Sequence, residues 1–98
     1  MNFKLIFQPE AEGQLVSLQG DLGQARQLKA VRKCLGLLEI NPRHPGLHTH
    51  KLHAIAGPRS EDVFEAYAQQ ATPGAYRIFW CYGPGQGQIT IIAITPHP

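Results

Sequence analysis

The sequence predicts an α+β domain in which two N-terminal helices pack on a small, mostly antiparallel four-stranded sheet. Helical periodicity in the first half of the chain and strand-like segments with short turns in the second half predict this arrangement. The 98 residues have the length of one domain, residues 1–98, without internal repeats or low-complexity segments. The expected order of elements is therefore β-α-α-β-β-β.

The first three elements are a strand and two helices. The segment FKLIF at residues 3–7 predicts a short strand. Pro9 suits the first turn of a helix, which Gly20 ends. Asp21 is a good N-cap for a second helix over residues 22 to about 40. The Asn-Pro pair that follows stops this helix, because proline cannot continue the helical hydrogen-bond ladder.

The second predicted helix is amphipathic. At about 100° per residue, four apolar and four basic side chains fall on opposite sides: Leu28, Val31, Leu35 and Leu38 against Arg26, Lys29, Arg32 and Lys33. Residues 22–60 as a whole hold seven Lys or Arg and one acid, whereas the rest of the chain holds two bases and six acids. This asymmetry indicates either a surface for an anionic partner or a solvated helix face followed by a basic loop.

Three strands are predicted after a long loop that Gly57-Pro58 closes. They are VFEAYAQQ, AYRIFWCY and QITIIAIT, at residues 63–70, 75–82 and 88–95. In the second of these, Trp80 shares a face with three other large side chains and is expected in the core. The last strand is apolar on both faces apart from its threonines, as is typical of a central strand. One face of the sheet is expected to pack on the helices and to leave the other face available for function.

The composition narrows the class of protein. The hydrophobic share is 43%, and no apolar run approaches the roughly 20 residues of a membrane helix. The N-terminal apolar run is too short for a signal peptide. Cys34 and Cys81 match no zinc or redox spacing and are expected to be free, buried thiols. These features favour a cytoplasmic domain without a cofactor.

Several phrases, in this order, resemble the RelE/ParE toxin superfamily of bacterial type II toxin–antitoxin systems. The phrases are FQPEAEGQL, NPRHPGLHTHKL, VFEAY, YRIFW and ITIIAITPH. The resemblance covers nearly the whole chain. It implies a toxin that cleaves mRNA on the ribosome without a metal, inhibits translation, and binds a cognate antitoxin protein or a second copy of itself. It leaves open two alternatives, a ParE-like DNA gyrase inhibitor and a non-catalytic antitoxin-binding module.

The resemblance also implies roles for four residues. Arg77 of AYRIF corresponds to the arginine that contacts the scissile phosphate, and the alternative is an ion pair with Glu65 on the neighbouring strand. His97 lies where some relatives carry a general acid or base, and the alternative is a frayed terminal residue. Glu65 would serve as a base or bond to Arg77. Lys51 would neutralise a phosphate of the RNA.

Four of the five histidines lie within ten residues, in the stretch RHPGLHTHKLH. Their spacing does not match the helical His-x-x-x-His zinc motif, and no Cys or acid lies between residues 46 and 60 to complete a metal site. We therefore predict no metal site here. The remaining alternatives are a basic loop that contacts RNA and a loop that meets solvent. The RNA-contacting hypothesis concerns Lys51 together with Arg43, His48, His50 and Arg59.

Overall fold

The computed structural model describes residues 2–97, which form two α-helices and one five-stranded sheet. Two short 3-10 helices, at Leu22–Gln24 and Pro45–Leu47, lie between the main elements. The helices and strands, in chain order, are β1 (Lys4–Phe7), α1 (Pro9–Gln19), α2 (Ala25–Ile40), β2 (His50–Ala56), β3 (Asp62–Tyr67), β4 (Tyr76–Tyr82) and β5 (Gln88–Pro96).

The sheet is mixed, and its strands lie in the order β1-β5-β4-β3-β2. Strand β1 is parallel to β5, and the other three pairs are antiparallel. The α+β class and the two helices are confirmed, but the four-stranded sheet is wrong. The additional strand is β2, within the segment predicted as a loop. Only Leu52 of its seven residues is even partly buried, so the sequence lacks the alternation that indicates a strand.

Helix α2 begins three residues later than predicted. Asp21 does act as a cap, since its carboxylate accepts the backbone N–H of Gly23 at 2.9 Å. The residues that follow form a 3-10 turn before the α-helix starts at Ala25. Glycine has low helix propensity, and Gly23 lies within this turn. The helix ends at Ile40, followed by the Asn-Pro pair, as predicted.

The core lies between the helices and one face of the sheet. Trp80 is 1% exposed and stacks on Phe64 with ring centroids 4.9 Å apart. It packs with isoleucines of β4 and β5 and with the apolar side of α2, which confirms the predicted core face. The buried residues that form this core are Ala11, Leu18, Val31, Cys34, Leu35, Leu38, Leu47, Ala66, Ile78, Trp80, Ile89, Ile91 and Ile94.

A bulge in β5 sets the position of the C-terminal end of that strand. Phe79 pairs with Ala93 and Trp80 pairs with Ile91, so Ile92 is an extra residue in the ladder. Strand β1 reaches only as far as Ile91 and leaves the rest of that edge of β5 without a strand neighbour. The side-chain oxygen of Gln14 in α1 accepts the backbone N–H of Ile94 at 2.7 Å. Helix α1 thereby holds the end of β5 against the core.

Leu38→Ala is expected to lower the free energy of unfolding by about 2–5 kcal/mol, because it leaves a cavity among fully buried side chains. Ile40→Ala, two residues away on the same helix, removes a side chain that is 64% exposed and serves as the matched control. Its expected effect is within about 0.5 kcal/mol. Urea unfolding followed by circular dichroism measures both. Equal losses would contradict the position of the core.

The two cysteines are buried free thiols, as predicted. Burial raises the pKa of the Cys34 thiol to about 12 and also raises that of Cys81. Because the thiolate is the reactive form, both are expected to react with Ellman's reagent at pH 8 far more slowly in the native protein than in urea. Immediate labelling of one thiol in the native state would place that cysteine at the surface.

Candidate functional site

The sheet face turned away from the helices carries the candidate site, and we call it the open face. Paired residues on adjacent strands project to the same side of a sheet. His50 pairs with Glu65, and Tyr67 pairs with Arg77. Alternation along β3 puts Glu65 and Tyr67 on the same side. Arg77 in turn pairs with Thr95 of β5. The register therefore brings side chains of four consecutive strands together on the open face.

Arg77 is the centre of this group. Its Nη1 donates to the Glu65 carboxylate at 3.3 Å, and its guanidinium carbon lies 3.9 Å from the centroid of the Tyr67 ring. The side chains of Arg77 and Glu65 are only 13% and 14% exposed. The Nε of Arg77 is buried without a hydrogen-bond partner, so the ion pair uses one prong of the guanidinium. The predicted alternative for Arg77, an ion pair with Glu65, is thus present.

Two histidines belong to chain segments on either side of this pair in the sheet. The exposed His50 lies on β2, and the centroid of its ring is 5.4 Å from that of Tyr67. His97 follows β5, and its backbone N–H donates to the carbonyl of Ala75 at 2.8 Å. This bond continues the β4–β5 ladder by one residue beyond its last pair, Tyr76 with Pro96. Alternation from Thr95 therefore assigns His97 to the same side of the sheet as Arg77.

Lys51 does not join this group. It pairs with Phe64, whose ring is on the core side, so its side chain leaves the sheet on the face opposite to Arg77. There it forms an exposed ion pair with Asp62 at 3.3 Å. The predicted phosphate contact by Lys51 would therefore lie on the other side of the sheet from the Arg77 group.

Three further predicted RNA contacts lie in turns. Arg43 and His48 are exposed on either side of the 3-10 helix Pro45–Leu47, and His48 has a left-handed backbone with φ of 48°. Arg59 lies in the turn between β2 and β3, where its Nε donates to Glu61 at 3.1 Å. Backbone N–H groups of Glu61 and Arg59 lower the pKa of the Glu61 carboxyl. The structure thus spreads the predicted RNA contacts over separate positions.

Tyr67 belongs to the site but is not among the predicted catalytic and RNA-binding residues. Its ring lies beside both Arg77 and His50 and so links the two. A sequence signal for it does exist, because Tyr67 alternates with Glu65 in VFEAY and must share its face of the strand. The pairing with β2 that brings His50 to the ring is not predictable without that strand.

Within residues 2–97, no group of three or more His, Cys, Asp or Glu side chains is arranged to hold a metal ion. One of the clustered histidines has a local structural role instead. The Nδ1 of His44 accepts the backbone N–H of Gly46 at 2.9 Å and so caps a 3-10 helix. Neither α1 nor α2, the helices of the described part of the chain, has the length and apolar character needed to cross a membrane.

A cavity lies on the helix side of the sheet. Its volume is about 580 Å³, and residues of α1 and the end of β5 line it. Two acids, Glu10 and Asp21, are among the lining residues, and no Lys or Arg of the described residues is. A phosphate would be repelled by such a lining. The open face therefore suits an anion better than this cavity does.

Glu65→Gln is expected to lower the free energy of unfolding by about 1–3 kcal/mol, because it leaves a largely buried guanidinium without its charged partner. The matched control is Asp62→Asn, which removes the ion pair of Lys51 on the other face, where the two side chains are 47% and 64% exposed. Its expected cost is below about 1 kcal/mol. Chemical unfolding compares the two variants, and equal costs would mean that Glu65 does not hold Arg77.

No family model and no curated protein sequence matches this chain. Solved structures do match its fold over nearly the whole length. A YoeB/ParE toxin from Agrobacterium tumefaciens superposes with a TM-score of 0.71 at 12% identity, over 97% of this chain and 99% of that one. The RelE of an archaeal RelE–RelB complex from Pyrococcus horikoshii OT3 gives 0.67 at 18% identity, over 98% and 96%. A YoeB dimer from Staphylococcus aureus gives 0.64 at 14% identity, over 100% of both chains. This chain has the fold of the RelE/ParE toxin superfamily, as its sequence resemblance implied.

Proposed function

We propose that this protein is the toxin of a type II toxin–antitoxin system and inhibits translation as a metal-independent mRNA endoribonuclease. The observation that carries the proposal is the group on the open face, where Glu65 and Tyr67 hold Arg77 and the strand register assigns His50 and His97 to the same face. This group combines a cation with residues that transfer protons near neutral pH. The fold shared with YoeB and RelE toxins supports the same class of function.

The proposed reaction is attack of a ribose 2′-hydroxyl on the adjacent phosphorus. It needs a base for the hydroxyl proton, an acid for the leaving 5′-oxygen, and a cation for the charge that builds on the phosphate oxygens. Arg77 supplies the cation. Within the described residues its one side-chain hydrogen bond comes from Nη1 and its Nε is buried, so Nη2 carries the donors that remain for the phosphate. His97 supplies one of the proton-transfer groups, and Glu65 keeps the guanidinium in place.

The proposed partners are a cognate antitoxin and the translating ribosome with its mRNA. The archaeal RelE that shares this fold was solved in complex with RelB, and the Staphylococcus aureus YoeB was solved as a dimer. We propose an antitoxin partner for this chain by the same architecture, with self-association as a second mode. An antitoxin that covered the open face would exclude RNA from Arg77.

A gyrase-directed inhibitor is the alternative that the molecule also suits. Arg77 is largely buried and already paired, as it would be in a binding protein of this fold that performs no chemistry. The net charge of only +2 also gives weak attraction to RNA. In this alternative the target would be DNA gyrase, and the mRNA would remain intact.

The test is induction of the chain alone in a bacterial host, with incorporation of labelled methionine and labelled thymidine followed over time. We expect methionine incorporation to fall first, and we expect mRNA to be cleaved at the same time.

Arg77→Lys keeps the charge but loses the planar fork, and it should slow cleavage roughly 100-fold. Arg32→Lys is the matched control, since Arg32 is exposed on α2, and it should leave the inhibition unchanged.

Two outcomes would contradict the ribonuclease. An early loss of thymidine incorporation with intact mRNA would move the target to DNA topology. No growth effect from well-folded protein would indicate a non-catalytic antitoxin-binding module of the same fold.

A further inference from the structure

The proposed reaction needs a base for the 2′-hydroxyl, and no residue has been assigned to that role so far. The 2′-hydroxyl needs a base within about 2.6–3.2 Å of its oxygen. Glu65 was the candidate from the sequence, but its carboxylate is 3.3 Å from Arg77 Nη1 and its side chain is 14% exposed. A carboxylate that is largely buried and paired with the guanidinium is poorly placed to reach a ribose. The base must therefore come from another side chain near Arg77.

We infer that His50 is this base and that His50 and His97 form an acid–base pair on opposite sides of Arg77. The inference rests on the proposed ribonuclease function. His50 is exposed, so a bound nucleotide can reach its ring. Its pairing with Glu65 fixes its place on the open face, and the centroid of its ring is 5.4 Å from that of Tyr67, the ring that Arg77 also contacts.

The distances suit one phosphodiester. The His50 and Tyr67 ring centroids are 5.4 Å apart, and the Arg77 guanidinium carbon is 3.9 Å from the Tyr67 centroid. These two steps set an upper limit of about 9 Å between the His50 ring and the guanidinium carbon. A reacting 2′-oxygen lies about 3–3.5 Å from phosphorus before attack and needs about 3 Å more to its base. A phosphate on Arg77 can thus present its 2′-hydroxyl to His50.

The strand order puts the two histidines on the two sides that in-line attack requires. Arg77 is on β4, His97 continues from β5 on one side, and His50 comes from β2 beyond β3 on the other side. Attacking and leaving oxygens lie on opposite sides of phosphorus in such a displacement. A base on the β2 side and an acid on the β5 side meet that demand.

The proton transfers balance within the pair. Neutral His50 takes the proton of the 2′-hydroxyl while the 2′-oxygen forms its bond to phosphorus. The bond from phosphorus to the 5′-oxygen breaks, and His97 in its imidazolium form donates a proton to that oxygen. The products are a 2′,3′-cyclic phosphate and a 5′-hydroxyl, and exchange with water restores both histidines.

The neighbours of His50 favour the role of base over that of acid. The charged and titratable groups that face it are Glu65 and Tyr67 on β3, with Arg77 beyond them on β4. Glu65 is its cross-strand partner and stabilises the imidazolium that forms when His50 accepts the proton. Strand β2 is the edge of the sheet, so no further described strand packs beside His50.

The experiment uses a defined mRNA, free and bound to bacterial ribosomes, and follows cleavage by the purified protein across pH. The wild type should give a bell-shaped profile and cyclic-phosphate ends. His50→Ala should lower kcat roughly 100-fold or more and remove the acidic limb of the profile, and added imidazole should restore part of the rate. His97→Ala should remove the alkaline limb. His53→Ala, on the same exposed strand, is the matched control and should keep the wild-type profile.

A second measurement does not depend on turnover. The His50 ring signals in NMR should shift on addition of the same RNA with 2′-O-methyl riboses, and the His53 signals should not. Suppose that the wild type cleaves RNA and Arg77→Lys does not, but His50→Ala keeps the full rate and both limbs of the pH profile. This result would overturn the role of His50 and leave the ribonuclease function standing. A wild type that cleaves neither free nor ribosome-bound RNA would overturn the ribonuclease function and, with it, this pair.

Discussion

The alternation of side chains along β4 is the constraint on which the rest of the molecule depends. Strands β3 and β5 flank β4, so its register is fixed on both edges. Ile78 and Trp80 point to the helices and are almost fully buried, and this forces Arg77 onto the open face. A slip of one residue would turn a charged guanidinium into the core and Trp80 into water, at a cost that no surface contact could offset. The core therefore determines the position of the site.

The environment of Arg77 stabilises its guanidinium and still leaves part of that group able to bind an anion. A guanidinium that is 13% exposed needs a partner, and Glu65 and Tyr67 provide a carboxylate and an aromatic face. The ion pair engages Nη1 alone, whereas a two-pronged pair would leave little of the fork for an anion. An incoming phosphate must compete with one carboxylate for one prong. The contact that stabilises Arg77 thus leaves Nη2 without a side-chain partner among the described residues.

The sequence predicted the helices, the three C-terminal strands and the core position of Trp80, because each has a strong periodic pattern. It missed β2 because both faces of that edge strand are largely solvated, and a strand without a buried face leaves no alternation to detect. The missed strand also affected the prediction of the functional site. The proximity of His50 to Tyr67 and Glu65 follows from the β2–β3 register, so without β2 the histidine cluster had no defined place. Long-range pairing of this kind is not a local property of the sequence.

The basic residues in the middle of the chain are dispersed in the folded protein. Four of these residues are exposed on the outer side of α2, Lys51 projects from the face opposite to Arg77, and Arg59 is paired with Glu61 in a turn. They are neighbours in sequence but do not form one surface. On the open face the Arg77 guanidinium is paired with Glu65, so this face carries little uncompensated positive charge. An anion bound there must be recognised by directed hydrogen bonds from Arg77, whereas α2 offers four exposed cations that attract anions without such geometry. Binding to the open face should therefore depend on the planar guanidinium of Arg77, and binding to α2 only on charge.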